Sequence, residues 1–354
     1  MAALAVSVFM RLLVIRLSSI GDIVHTLPAV AALGQAHPEA EIDWAVEARY
    51  APLLDGNPFV HRILPFDTLG WRRSLGSMAT VNEARRKVLD LRGQHYPVAV
   101  DFQGLVKTGL LARLSGAAER LGLAERWLRE PLAAVWYTDR VPATGRVHAI
   151  EESLALVERL GAPRLQRDEW QFPLPRTPEA DRAVEARLQS MAAHDFIVIN
   201  PGGGWMSKRW SPENYAALIR LLQPELRWHF LLTGSPAEKL LIEEIIRRAG
   251  SARASYFPAD LIQLITVVRR ARLFVGGDTG PLHLAAAVGT PIVAIYGPTA
   301  PARNGPFSAD DIALSNLGPI DHTRRAKNPA YLPGIAVESV HQAVSNRLRT
   351  AYGT

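Results

Sequence analysis

One segment, residues 276–283, combines residue types that bind phosphate. It reads Gly-Gly-Asp-Thr-Gly-Pro-Leu-His and follows an apolar run, Leu273 to Val275, that predicts a strand. Pro281 near its end and Gly289 beyond it are typical of the start and stop of a short helix. The N–H groups and the dipole at such a helix start favour negative charge. The candidate residues for binding a diphosphate here are Asp278, Thr279, Gly280 and His283.

A second candidate phosphate loop is the glycine-rich stretch 201–208, which follows a predicted strand over 196–200. Glycine lets a backbone approach a ligand closely, and Ser207 and Lys208 carry groups that bind phosphate oxygens. The alternative is a surface loop with a solvated lysine. Glu238 follows another predicted strand, 229–232, and is a candidate hydrogen-bond partner for a ribose diol. It is equally well interpreted as a glutamate in the first turn of a helix.

The first half of the chain offers a candidate general base. Asp22 ends a predicted loop, Ser18 to Asp22, between a predicted strand and an apolar helix from about Val24. Ser19 and Gly21 belong to this loop. A carboxylate placed there is able to take a proton from a substrate hydroxyl. The alternative is an aspartate that caps the helix or lies in its first turn, where the dipole favours it.

Residues that could bind an anionic substrate follow another predicted strand, Val98 to Phe102. They are Gln103, Lys107 and, further along the chain, Arg120. A lysine on the surface at a helix start is the alternative interpretation of Lys107.

Strands and helices alternate in both halves, which predicts an α/β protein with a parallel sheet in each half. Four prolines among charged residues mark 163–178 as a linker. We therefore expect a first domain over 1–170 and a second over 171–354, with the last helix, about 336–350, a candidate to pack back on the first domain. Two such domains place a ligand cleft at the carboxyl ends of their strands.

Composition excludes several classes of protein. The chain has 354 residues and no cysteine, which rules out disulfides, thiolate–zinc sites and cysteine nucleophiles. The net charge of +6 suggests an anionic partner, but basic runs interleaved with aromatic residues are missing, which argues against nucleic acid.

The dinucleotide fingerprint G-x-G-x-x-G is absent, and so is the D-x-D pair that holds a metal–nucleotide in many sugar transferases. We therefore expect no metal ion and no cofactor.

Several of these motifs resemble those of one enzyme family. The segment from Leu17 to Pro28 resembles the N-terminal signature of the lipopolysaccharide heptosyltransferases, glycosyltransferase family 9. Asp278 to Gly280 with His283 resembles the C-terminal nucleotide signature of that family. The segments 43–47, 101–107 and 129–132 resemble the type I branch, heptosyltransferase I.

The resemblance implies a GT-B architecture, which is two Rossmann-like domains with parallel sheets facing across a cleft. It implies inverting transfer of heptose from ADP-heptose, bound by the second domain, to the Kdo of Kdo-lipid A, bound by the first, in inner-core synthesis. The enzyme would be cytoplasmic and peripheral on the inner-membrane surface. Asp22 matches the general base of the family. The positions that match its donor-binding residues are Lys208, Asp278, Thr279, Gly280 and His283, and Glu238 is a looser match to the ribose contact. Ser207 completes the set of expected donor-binding residues. The expected acceptor positions are Ser19, Gly21, Gln103, Lys107 and Arg120. The alternatives are another family 9 transferase with a different acceptor, a GT-B nucleotide-sugar epimerase, and a non-catalytic nucleotide-binding module.

Overall fold

A computed structural model describes residues 11–74, 76–204, 206–297, 299–316, 332 and 334–353, without the side chain of Ser207. The chain divides into two compact units, 1–175 and 176–354. Each unit has its own six-stranded sheet, in which all the strands are parallel.

The first unit has the strand order β3-β2-β1-β4-β5-β6. Its strands are β1 (Arg11–Ile15), β2 (Glu41–Glu47), β3 (Arg62–Phe66), β4 (Val98–Asp101), β5 (Glu119–Leu123) and β6 (Asp139–Val141). Its helices are α1 (Ile20–Ala36), α2 (Thr68–Arg73), α3 (Met78–Arg92), α4 (Val106–Leu114) and α5 (Ala149–Glu158). Short 3₁₀ helices cover Ala48–Leu54, Glu125–Trp127, Pro131–Trp136 and Arg167–Glu169.

The second unit has the order β12-β11-β10-β7-β8-β9. Its strands are β7 (Phe196–Asn200), β8 (His229–Leu232), β9 (Ala254–Tyr256), β10 (Leu273–Gly277), β11 (Ile292–Tyr296) and β12 (Ile312–Ser315). Its helices are α6 (Pro178–Ser190), α7 (Pro212–Leu222), α8 (Lys239–Ala249), α9 (Leu261–Arg270), α10 (Gly280–Ala287), α11 (Pro301–Asn304) and α12 (Val337–Tyr352). Two 3₁₀ helices cover Met206–Lys208 and Pro236–Glu238. The buried side chains of α12, among them Val340 and Val344, belong to the core of this second unit.

Both sheets have the doubly wound order 3-2-1-4-5-6 when the strands of each unit are numbered along the chain. The predicted fold class, α/β with a Rossmann-like parallel sheet in each half, is therefore confirmed. The strand order reverses between β1 and β4 in the first unit and between β7 and β10 in the second. Loops that follow adjacent strands at such a point lie together, so the topology gathers 16–22 with 102–107, and 201–208 with 278–283.

The loop predicted over Ser18 to Asp22 is shorter in the structure. Helix α1 begins at Ile20, so Gly21 and Asp22 lie in its first turn, and Ser19 occupies the cap position. The helix continues to Ala36 with Pro28 inside it. In the described part of the chain, we find no helix whose length and apolar character would let it cross a bilayer.

Candidate functional site

A buried charge cluster lies at the carboxyl ends of β7 and β10 in the second unit. Lys208 Nζ donates to Asp278 Oδ2 at 2.7 Å, and Thr299 Oγ1 donates to the same oxygen at 2.7 Å. His283 Nε2 lies 3.3 Å from Asp278 Oδ1. The side chain of Asp278 is 7% exposed and that of Lys208 is 15% exposed. The cluster thus joins the two segments that the sequence singled out as phosphate-binding candidates.

The electrostatics of this cluster favour an ionised Asp278. Burial raises the pKa of Asp278, but the hydrogen bond from His283 and the charges of His283 and Lys208 outweigh it, and they hold the pKa well below its usual range. The carboxylate therefore fixes the Lys208 ammonium beside the start of α10 by a charge-assisted hydrogen bond. A cation and a helix start at one place form an environment suited to a diphosphate.

Thr279 and Gly280 form the start of α10 itself. Thr279 occupies the cap position, and its Oγ1 lies 3.2 Å from the Gly277 carbonyl oxygen and 3.4 Å from Asn200 Oδ1. Asn200, the last residue of β7, donates from Nδ2 to the Thr233 carbonyl oxygen at 2.8 Å. Asn200 thus links β8 to the helix start. Sequence reasoning did not select Asn200 or Thr299, because neither stands in a recognisable motif.

Glu238 holds the glycine-rich loop in place. Its Oε2 accepts from Ser235 N and Ser235 Oγ, both at 2.8 Å, and its Oε1 accepts from Gly203 N at 3.2 Å. A Cβ at Gly202 would clash with Glu238 Oε1, so a larger residue there would require the Glu238 carboxylate to move away from the loop. These contacts match the structural interpretation of Glu238, and its ribose contact stays a prediction. The side chain of Ser207 lies outside the described residues.

In the first unit, Asp22 is both a capping residue and an accessible carboxylate. Its Oδ2 accepts from Ser19 N at 2.8 Å and from Ser19 Oγ at 3.1 Å. Its side chain is nevertheless 47% exposed. The capping contact orients the carboxylate, and its exposure leaves it accessible to a substrate hydroxyl.

Arg16 is a residue of this site that sequence reasoning missed. Its side chain is 10% exposed and Nη2 donates to Asp22 Oδ1 at 3.1 Å. Nε donates to the Asp22 carbonyl oxygen at 3.2 Å, and Nη1 donates to the Phe102 carbonyl oxygen. Arg16 therefore fixes the Asp22 carboxylate and ties it to the end of β4. The sequence feature that could have identified Arg16 was an arginine at the end of an otherwise apolar predicted strand.

Gln103 and Lys107 lie at the same edge of the first sheet. Gln103 Oε1 accepts from Leu17 N at 2.7 Å, and Nε2 donates to Ser18 Oγ at 3.3 Å. Gln103 thus supports the backbone just before Ser19. Lys107 is exposed on α4, and its Nζ donates to Thr68 Oγ1 at 3.3 Å.

Arg120 does not belong with these residues, which corrects the prediction made from the sequence. It lies at the amino-terminal end of β5, the opposite edge of the sheet from the other acceptor candidates. Its guanidinium donates to the carbonyl oxygens of Trp136 (2.8 Å), Ala117 (2.7 Å) and Ala118 (3.2 Å). These contacts give Arg120 a structural role.

Comparison with known proteins identifies the family. The model of glycosyltransferase family 9 (heptosyltransferase) matches residues 85–331. The lipopolysaccharide heptosyltransferase 1 of Pseudomonas aeruginosa is 31% identical over 309 residues, which are 87% of this chain and 84% of that protein. The chain belongs to glycosyltransferase family 9.

Solved structures agree with membership of family 9. The structure of the Escherichia coli heptosyltransferase WaaC with ADP has a TM-score of 0.78 and 26% identity, and covers 96% of this chain and 100% of that one. The WaaC structure with ADP-2-deoxy-2-fluoro heptose has a TM-score of 0.75 and 27% identity, and covers 95% and 99%. This family 9 chain is therefore a glycosyltransferase.

Proposed function

We propose that this glycosyltransferase moves L-glycero-D-manno-heptose from ADP-heptose to the Kdo of Kdo-lipid A, with inversion at the anomeric carbon. The observation that carries the proposal is the buried Lys208–Asp278 pair at the start of α10. The similarity to a lipopolysaccharide heptosyltransferase 1 and to WaaC with an ADP-heptose analogue supports the choice of sugar and nucleotide.

The second unit is the proposed donor site. The diphosphate lies at the start of α10, where the backbone of Thr279 and Gly280, the helix dipole and the Lys208 ammonium oppose its charge. Asp278 holds Lys208 in position through one carboxylate oxygen, and His283 contacts the other oxygen of Asp278. Negative charge grows on the departing ADP as the glycosidic bond breaks, so these groups stabilise the transition state more than the ground state.

Asp22 of the first unit is the proposed general base. The acceptor hydroxyl oxygen forms its bond to the anomeric carbon while the bond from that carbon to the diphosphate oxygen breaks. The electron pair leaves with ADP, and the hydroxyl proton moves to the Asp22 carboxylate. Such a base contributes about 10²–10⁴-fold to the rate. Arg16 and Ser19 keep the carboxylate oriented. The scheme uses no metal ion and no cofactor.

The proposed acceptor groups lie on the segments that follow β1 and β4, the two adjacent strands at which the order of the first sheet reverses. Ser19, Gly21 and Gln103 shape the backbone beside the base, and the exposed Lys107 supplies a cation for the carboxylates of Kdo. Kdo-lipid A is a membrane lipid, so we propose that the enzyme works as a peripheral protein on the cytoplasmic surface of the inner membrane.

Release of ADP from ADP-heptose, with and without Kdo-lipid A, tests this function. We expect ADP to form only with the Kdo acceptor, together with a product heavier by one heptose in mass spectrometry. Lipid A without Kdo serves as the matched control and should give no product. Equal ADP release without acceptor, or transfer to an acceptor lacking Kdo, would contradict the proposal.

A further inference from the structure

Exposed apolar side chains are concentrated in one stretch of the first unit. Among the described residues, eight of the twelve large hydrophobic side chains that are exposed lie between positions 78 and 135. They are Met78, Val81, Leu89, Val106, Leu110, Leu114, Leu132 and Val135. Single exposed apolar residues are common, whereas a concentration such as this one marks an interaction surface.

These residues lie on three elements of one layer. Leu91 of α3 and Leu111 of α4 pack into the same core cluster as Leu13 and Ile15 of β1, so the two helices cover one face of the sheet. Their outward sides therefore face away from the same sheet surface. The 3₁₀ helix Pro131–Trp136, which carries Leu132 and Val135, contacts α4.

The outward sides of α3 and α4 mix apolar and basic residues. Five exposed residues of α3 recur at intervals of three and four positions, which places them on one side of the helix. They are Met78, Val81, Arg85, Leu89 and Arg92. On α4, the exposed residues with the same spacing are Val106, Leu110, Arg113 and Leu114. We name the outward sides of α3, α4 and the 3₁₀ helix the apolar–basic face.

Charge indicates the chemistry of the partner. The three elements that form the face, residues 78–92, 106–114 and 131–136, contain six basic and two acidic side chains, so they carry +4 of the net +6 of the whole chain. A second copy of the chain docked on the same face would bring like charges together, which is unfavourable. The partner therefore offers both an apolar interior and negative charge.

We propose that the apolar–basic face docks on the surface of a bilayer that contains anionic lipid. Its apolar side chains enter the boundary between headgroups and acyl chains, and its arginines contact lipid phosphates. Helix α4 begins at Val106 and Lys107, so the face extends to the proposed acceptor residues. The inference rests on the proposed membrane location, and it requires no particular sugar chemistry.

Vesicle sedimentation tests the docking face. The wild-type protein should bind phosphatidylcholine vesicles that contain phosphatidylglycerol, and bind less to phosphatidylcholine alone. The double variant Val81→Asp/Leu110→Asp should weaken binding at least about tenfold, because it places charges in the acyl boundary. Leu240→Asp is the matched control, since Leu240 is an exposed residue on α8 of the second unit, and it should bind as the wild type does.

A second pair of variants tests the charges without altering apolar residues. Arg85→Glu/Arg113→Glu should weaken binding to anionic vesicles about tenfold or more and remove the preference for phosphatidylglycerol. Arg164→Glu, at an exposed loop position of the same unit, should leave binding unchanged. Thermal unfolding by circular dichroism verifies that each variant is folded.

Three results would overturn the proposal. The first is that the wild-type protein binds neither kind of vesicle. The second is that the face variants bind vesicles as strongly as the wild type. The third is that a face variant changes only the oligomeric state of the protein in solution. Heptose transfer to a water-soluble, deacylated acceptor separates this inference from the proposed function. Variants of the apolar–basic face should still transfer heptose to the deacylated acceptor. If the wild type binds vesicles but does not transfer heptose to this acceptor, only the proposed function is contradicted.

Discussion

The Lys208–Asp278 pair permits a quantitative test of the donor site. Lys208→Met removes the ammonium and keeps much of the side-chain volume. Asp278 then loses a hydrogen bond of 2.7 Å but keeps those of Thr299 at 2.7 Å and His283 at 3.3 Å. Breaking a fully buried pair costs about 3–5 kcal/mol. Because two partners remain, we expect about 2 kcal/mol of lost unfolding free energy, the usual value for one hydrogen bond to a charged group.

A double-mutant cycle isolates the pair. Asp278→Asn removes the negative charge at nearly constant shape, and the double variant removes both charges. Urea unfolding of the four proteins should give a coupling energy of about 1–2 kcal/mol, within the range for residues in direct contact. Calorimetric titration with ADP should show at least about tenfold weaker binding for Lys208→Met, which corresponds to about 1.4 kcal/mol. Lys239→Met, an exposed lysine of the same unit paired with Glu243, is the control.

Two results would refute this reasoning. Stability effects that add within about 0.5 kcal/mol would show that the two side chains do not act as a pair. An ADP affinity of Lys208→Met equal to that of the control would place the diphosphate away from Lys208, whatever the effect on stability.

Two further predictions concern Arg16 and the pH dependence of stability. Arg16→Met should lower kcat about tenfold or more, because Asp22 loses a hydrogen-bond donor at 3.1 Å, and it should leave the affinity for ADP-heptose unchanged. Arg16→Lys should recover part of the lost kcat. A change in ADP-heptose affinity without a change in kcat would contradict the positioning role of Arg16. The pKa of Asp278 is lowered in the folded state, so its stabilising contribution is present above about pH 4, the ordinary aspartate value, and is lost as pH falls below it. The stability difference between the wild type and Asp278→Asn in urea unfolding should therefore shrink from neutral pH to about pH 3, and a constant difference would contradict the assigned shift.

The sequence predicted those elements whose apolar pattern is continuous. The predicted strands over 196–200 and 229–232 match β7 and β8, and the apolar run Leu273 to Val275 lies in β10. It missed β5 and β6, which read Glu-Arg-Leu-Gly-Leu and Asp-Arg-Val. Neither shows an apolar run or alternation, and both are strands because they pair beside β4, which is a tertiary effect.

The same dependence on tertiary structure explains which residues of the candidate site the sequence could and could not identify. The motifs that follow adjacent strands lie together in the structure, because parallel strands bring their carboxyl ends to one edge; Lys208 contacts Asp278, and Gln103 contacts Ser18. We expected Arg120 among the acceptor residues because the sequence did not predict β5. The strand places Arg120 at its amino-terminal end, away from the carboxyl ends of the strands where the other acceptor candidates lie. The contact of Arg16 with Phe102, 86 residues away, and that of Lys208 with Asp278, 70 residues away, required coordinates.

Turnover by Asp22→Asn tests the central claim most directly. Asparagine keeps the size and an acceptor oxygen for Ser19 N, so α1 should remain capped, while the proton acceptor is removed. Asp260→Asn, which changes a capping carboxylate of α9 in the second unit, is the matched control. We expect ADP formation with Kdo-lipid A to fall about 10²–10⁴-fold in Asp22→Asn alone, with unchanged ADP-heptose affinity. Turnover of Asp22→Asn near that of the wild type would contradict the assignment of Asp22 as the base.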